Sequence, residues 1–480
     1  MRAHELNLSL EDSQTGPVYL RVGEVILKAI QAGRIQAGQA LPGVRELAER
    51  LDVNRNTVLS ALRELEDQGW IVARPRSGFF VVDSPPLPRD PAPAAKPSAQ
   101  PGFDVPEAWQ PITSTADILM DLSDGVADAR LAPMDALAKA YPRAIRLKGP
   151  ALLQTGEFQG LERLRKMLAG HLAEQRALVR DPGQILLIRS TSMAVMLVAQ
   201  ALIGPESGDV AVENPGHPLV WATLRQGSPA PLHGIPVDAG GLRLDALEAL
   251  LAKHRISVLV LTPQCHFPTG APLAADRRAR LLALARQHRF AILELDSEYD
   301  YLASPNRPLA VEDSTGQVLY AGSLSRLLAP GVRLSFLVVP EALVERFAKA
   351  RQRLDWQGDP ILEWAVSELF VDGEITRHLR RVRKASQDRL EALGEALRFG
   401  LAERIGFDLG HTGMGLWVHG QGPLADPMRF QVWVRAAGLK GIKLRPGAYF
   451  DLDGQPRAAT RLGFTAFTPE ELQRAVSLLS

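Results

Sequence analysis

A single cysteine, Cys265, in 480 residues excludes an internal disulfide framework and any metal centre built only from thiolates. Also missing is any run of about 18 apolar residues, the length needed to cross a bilayer. The opening Met1-Arg2-Ala3-His4-Glu5 begins nothing like a secretory signal. Neither sign of charge is in excess: 55 Lys and Arg stand against 54 Asp and Glu, a net charge of +1. That balance argues against a polyelectrolyte or membrane-surface habit. The expectation is a cytoplasmic protein with no membrane partner. Hydrophobic residues make up 46% of the chain, which supports a sizeable core at a length beyond one ordinary domain.

Proline is concentrated. Residues 84–106 hold eight of the prolines, with Ala, Ser, Gln and Lys between them. Such a stretch has no means to pack a core and reads as a semi-rigid linker over 84–110. It divides the chain into a small first domain, residues 1–83, and a large second one, residues 111–480.

In the first domain Val44, Leu47, Ala48 and Leu51 recur at helical spacing, as do Val58, Ala61, Leu62 and Leu65. Asp52-Val53-Asn54 is the turn between two short helices, and Asn54 is a suitable cap for the second. That helix then presents Arg55, Asn56 and Thr57 from its first turn, as a recognition helix presents residues to base edges in the major groove. Gly69 to Val82 alternates as two short strands around Pro75-Arg76-Ser77-Gly78, which makes a wing. Residues 17–83 as a whole resemble the GntR-type winged helix-turn-helix. The resemblance implies a double-stranded DNA operator as partner, touched by Arg45, Arg55, Asn56, Thr57, Arg76 and Gly78. Residues 1–83 carry ten Lys and Arg against eleven Asp and Glu, so charge adds little affinity and a dimer on two half-sites is expected.

In the second domain short apolar runs alternate with helical segments. Ile185–Ile188, Val210–Val212, Val258–Leu261, Phe290–Leu295, Val318–Tyr320 and Leu334–Val339 read as buried strands of a mainly parallel sheet. Ligand chemistry in such an α/β fold gathers at the carboxyl ends of the strands. Four pieces identify the domain: Glu213-Asn214-Pro215-Gly216-His217-Pro218, Thr262 through Gly270, Ser323-Leu324-Ser325-Arg326 through Pro330-Gly331-Val332-Arg333, and Arg461-Leu462-Gly463-Phe464. They resemble the class I/II aminotransferase fold, fold type I of the pyridoxal phosphate enzymes. With the first domain they resemble a MocR-type member of the GntR regulators.

That resemblance implies roles residue by residue. Asp296 would face the pyridine nitrogen and keep it protonated, and Tyr299 would reach the phenolic oxygen. Ser190, Thr191 and Ser192, at the start of a helix, would hold the phosphate together with Ser323, Ser325 and Arg333. Where the family carries its Schiff-base lysine, this chain has Arg326. Arginine stays protonated and forms no imine, so pyridoxal phosphate is expected to be bound non-covalently or to be absent. Without that lysine the proton carrier for transamination is missing too, and the domain is expected to be no enzyme. His217 stands where the family often has tyrosine. Arg461 has the context that grips a substrate carboxylate, so His217 and Arg461 are the expected effector contacts. The reading is a homodimeric, DNA-binding transcriptional regulator with a sensor for a small effector: an amino acid, an amine or a B6 vitamer. The alternatives are a purely structural dimerisation domain or an active aminotransferase.

Overall fold

The computed structural model describes Leu8, Leu10, residues 16–84 and residues 118–480. The expected linker, apart from Ser84, lies outside the described residues. The chain divides into two compact units, Met1–Ile112 and Thr113–Ser480.

In the first unit, helices α1 (Val18–Gln31), α2 (Val44–Arg50) and α3 (Arg55–Asp67) precede strands β1 (Ile71–Arg74) and β2 (Gly78–Val81). The two apolar stripes meet in one core, where Val22, Ile26, Leu47, Val58 and Leu62 are fully buried. The turn into α3 forms as the side chains dictate. Asp52 takes a left-handed conformation, and the Asn54 Oδ1 accepts from the Asn56 N–H at 2.9 Å. β1 and β2 pair antiparallel with Arg74 opposite Gly78. Arg76 and Gly78 both have positive φ at the wing tip, where glycine costs nothing and arginine is strained.

The second unit is built on an eight-stranded sheet. Its strands are β3 (Ile185–Ile188), β4 (Asp209–Asn214), β5 (Leu232–Asp238), β6 (Gly241–Leu242), β7 (Ile256–Leu261), β8 (Ala291–Asp296), β9 (Val318–Ser323) and β10 (Ser335–Val338), in spatial order β3-β10-β9-β8-β7-β4-β5-β6. β10 runs against β9 and β3, β6 runs against β5, and the other pairs are parallel. Continuous apolar strands demand cover on both faces. One face packs on a core that includes Leu164, Leu168, Phe290 and Leu369, and the other on the helix Thr191–Leu202 together with Trp221 and Phe347. Each of the six apolar runs singled out in the sequence coincides with a strand, with Phe290, Leu334 and Val339 one residue outside. β5 was not among them, because Gly234 and Pro236 break its pattern; only two residues of β6 pair on its outer side, and near an edge proline is tolerated.

A smaller three-stranded antiparallel sheet follows: β11 (Ile405–Phe407), β12 (Gly415–Gly420) and β13 (Ala459–Gly463). Helices Glu374–Leu401 and Pro469–Leu479 pack on it through Leu393, Leu397, Leu472 and Val476. No helix among the described residues is long and apolar enough to cross a membrane.

Candidate functional site

Two adjoining cavities open at the carboxyl ends of the parallel strands, and they share Thr191 and Arg326. The first, termed the ring side, is lined by residues at the ends of four strands: Ser192 beyond β3, Glu213 and His217 at and beyond β4, Thr262 beyond β7, and Asp296, Ser297 and Glu298 at and beyond β8. The second, termed the phosphate side, is lined by Arg189, Ser190, Ser323, Ser325, Arg333 and Ser335. Of the residues expected to hold a cofactor, all but Tyr299 line one cavity or the other.

Asp296 is held from behind the ring-side cavity. Its Oδ2 accepts from the Tyr320 hydroxyl, to which the Arg176 guanidinium donates in turn. Arg176 lies 3.6 Å from Asp296 and 3.0 Å from Asp300. Burial pushes the Asp296 carboxyl up to about 6 against the pull of Arg176 and Tyr320. Glu213 accepts from both the N–H and the hydroxyl of Thr262, at 2.9 and 2.8 Å. Burial outweighs those bonds and pushes Glu213 up to about 8, so it is protonated at neutral pH. His217 stacks on Phe267 with ring centres 4.3 Å apart, and burial drives its imidazole down to about 4. The ring-side wall is therefore aromatic and close to neutral.

On the phosphate side the helix Thr191–Leu202 points its first turn into the cavity, capped by Ser190, whose Oγ accepts from the Met193 N–H at 3.1 Å. Ser323 caps the turn that carries Arg326 and lies 3.1 Å from the Ser335 hydroxyl. Ser325 ties its own turn shut, accepting from the Leu334 N–H at 2.7 Å and donating to the Leu334 carbonyl at 3.0 Å. Arg189 pairs with Asp355 at 2.8 Å. Arg333 has no side-chain hydrogen bond or ion pair among the described residues, and its guanidinium is exposed. A helix N-terminus, hydroxyls and an unpaired guanidinium are the equipment of an anion site.

Two residues, Tyr299 and Arg461, depart from their expected places. Tyr299 turns away from the cavity: it sits in a short turn, Tyr299–Tyr301, its hydroxyl donates to the Gln175 carbonyl at 3.1 Å, and its ring lies 4.6 Å from the Arg176 guanidinium. The residues just before that turn, Ser297 and Glu298, line the cavity instead. Arg461, fully buried, is not part of the cavity wall. Its Nη2 donates to both oxygens of Glu298, at 2.6 and 2.9 Å. Arg326 does line both cavities, with its guanidinium on the Gly125 carbonyl and 3.4 Å from Asp124. Burial opposes charge on Asp124, but Arg326 and Arg461 outweigh it and hold the carboxyl below its usual range. Glu298, Asp124 and Arg176 were not singled out in the sequence; Glu213 and Tyr320 appeared there only within a motif and a strand, with no role assigned.

In the first unit Arg45, Arg55, Asn56, Arg76 and Gly78 are exposed and Thr57 is half-buried. The first turn of α3 and the wing tip thus carry the expected DNA contacts on the surface.

A model of bacterial regulatory proteins of the gntR family matches residues 18–81, and a model of aminotransferase class I and II matches residues 117–479. The second match spans well over half of the sequence: the chain belongs to the class I and II aminotransferase family, and its gntR-type head places it in the MocR-type branch that joins the two. It is similar to the probable rhizopine catabolism regulatory protein MocR of Rhizobium meliloti, 26% identical over 98% of this chain and 95% of that protein. It is also similar to the HTH-type transcriptional regulator TauR of Rhodobacter capsulatus, 27% identical over 97% and 96%. Among solved structures, the multiple substrate aminotransferase of Thermococcus profundus matches with a TM-score of 0.69 at 23% identity, over 76% of this chain and 91% of that one. That likeness speaks for the fold. The α-aminoadipate aminotransferase LysN of Thermus thermophilus, complexed with N-(5'-phosphopyridoxyl)-L-leucine, matches with a TM-score of 0.68 at 25% identity over 76% and 91%.

Proposed function

We propose that the chain is a homodimeric, DNA-binding transcriptional regulator whose aminotransferase-like unit binds a small effector reversibly and does not transaminate. The observation that carries the reading is the identity of the side chains around the cavities. No lysine lines either one among the described residues, and Arg326 stands between them with its guanidinium already bound. The gntR-type head and relatives named as regulators along the whole length support the DNA-binding half.

The residues fit pyridoxal phosphate as a non-covalent ligand. Arg333, Ser190, Thr191 and Ser323 surround an anion site of the kind its phosphate needs, and Asp296 stands at the base of the ring side. When bound, that cofactor supplies an electron-withdrawing ring. Asp296, ionised for the most part at neutral pH and fixed by Tyr320, holds a proton on a nitrogen facing it. Arg326 supplies fixed charge only. It neither attacks a carbonyl carbon nor carries a proton to and from a substrate carbon. Any switching then rests on the ligand's preference for one arrangement of the two units.

The test is selection from random duplexes with the full-length chain, with and without pyridoxal phosphate or pyridoxamine phosphate. The expected result is a preferred sequence with two half-sites and a ligand-dependent change in affinity. Arg55→Ala should cost about 1–3 kcal/mol and relax preference at one position. Absence of any sequence preference overturns the reading. Binding indifferent to every ligand would leave the large unit only a dimerising role.

A further inference from the structure

Arg461 and Glu298 form a buried ion pair at the site, and it is the carboxylate, not the arginine, that faces the ring-side cavity. Glu298 is one of the cavity's lining residues; Arg461 is 0% exposed and is not. Both terminal nitrogens of the Arg461 guanidinium are taken, while its Nε makes no hydrogen bond among the described residues and lies 3.8 Å from Asp124. Nη2 of Arg461 donates to both Glu298 oxygens, Nη1 donates to the Pro268 carbonyl at 3.1 Å, and the plane lies 4.7 Å from the centre of the Phe267 ring. The second Glu298 oxygen also accepts from the Met414 N–H at 2.8 Å. A free carboxylate ligand would be satisfied in much the same way, by a guanidinium fork and a backbone N–H.

The surrounding chain is shaped to this pair. A Cβ on Gly413 would stand 2.2 Å from the Glu298 oxygen, and one on Gly415 would stand 2.5 Å from the Arg461 Nε. Both distances are far inside contact, so the Gly413-Met414-Gly415 segment has the only side chains that leave room for it. The rest of the ring-side wall points the same way. Its carboxyl groups are Glu213, Asp296 and Glu298, and its one cation, Arg326, is held by Asp124 and the Gly125 carbonyl. An amine or hydroxyl placed there meets acceptors. A carboxylate meets carboxyls and must displace a buried ion pair.

We propose that Glu298 is a built-in carboxylate occupying the anion subsite of Arg461, so that the cavity takes a phosphomonoester with a neutral or cationic head and rejects one bearing a carboxylate at that end. The phosphate part of this ligand class rests on the anion site assigned under the proposed function; the occupation of Arg461 does not.

Two experiments on the full-length protein separate the parts. In the first, thermal melting of the wild type, Glu298→Ala and Glu298→Gln is compared in acetate and in chloride at equal ionic strength. Glu298→Ala should melt below the wild type and recover part of the loss in acetate only, because acetate fills the vacated subsite; Glu298→Gln, which still fills it, should not respond. Equal response of all three overturns the proposal. If Glu298→Ala does not fold, its refolding yield in acetate against chloride gives the same decision. In the second, calorimetry compares pyridoxamine phosphate with N-(5'-phosphopyridoxyl)-L-alanine, which differs by an added carboxylate-bearing group. The wild type should prefer the first by at least about tenfold, and Glu298→Ala, which vacates the subsite, should narrow that gap. Equal affinities in the wild type, or an unchanged gap in the variant, overturn the proposal. If neither compound binds the wild type, the phosphate-anchored sensor fails while the acetate response still decides the role of Glu298.

Discussion

The two sides of the site hold the same kind of cation in opposite states. On the phosphate side, Arg333 has no side-chain partner among the described residues and stands beside serines and the first turn of a helix. On the ring side, Arg461 is paired with Glu298, and Arg326 is held by Asp124 and a backbone carbonyl. A guanidinium attracts an external anion only where an internal carboxylate has not already neutralised it. Under the proposed function the phosphate side is thus the open anchor, and the ring side is closed at the end where an amino-acid substrate would react.

The largest expected effect tests whether the ring side is neutral. Glu213 has a folded-state value pushed up to about 8 by burial, above its ordinary 4.5. The folded state then binds more protons than the unfolded one between those values. Stability present at low pH is lost as pH rises through about 8, by on the order of 4 kcal/mol from this group. Melting curves of the wild type and Glu213→Gln from about pH 5 to about pH 9 should diverge, the variant being flatter. Parallel curves would mean that Glu213 is already ionised and the ring side anionic.

A smaller effect probes the anchor. Arg333→Ala should weaken pyridoxamine phosphate by about ten- to a hundredfold, the worth of a charge-assisted hydrogen bond. Unchanged affinity by calorimetry would remove the phosphate side from the site. Smallest is Tyr299→Phe, which gives up one hydrogen bond to Gln175 and should cost about 1 kcal/mol of stability. Ligand affinity should not move; if it does, Tyr299 touches the ligand.

Much of the framework was legible because it is written locally. Asn54 caps α3 through its own side chain, and the apolar strands announce themselves by composition. That Ser190, Thr191, Ser323 and Arg333 line one cavity was legible by family pattern, since they lie in motifs with fixed spacing. The closed end was not. Glu298 and Arg461 are 163 residues apart, Asp124 and Arg326 are 202 apart, and a single sequence carries no sign that these charges meet. Tyr299 shows a subtler limit. Its spacing from Asp296 suits a cofactor contact, yet the turn after β8 rotates it toward the end of the helix Glu162–Arg176, where Arg176 offers its ring a cation.

The most direct test of the closed reactive end is native mass spectrometry of the full-length protein with pyridoxal phosphate, before and after borohydride reduction, with Arg326→Lys alongside. The expected result is a wild-type complex that loses the ligand on denaturation and retains no reduced adduct, while the lysine variant gains one at position 326. A stoichiometric pyridoxyl adduct mapped to a single lysine of the wild type would contradict it.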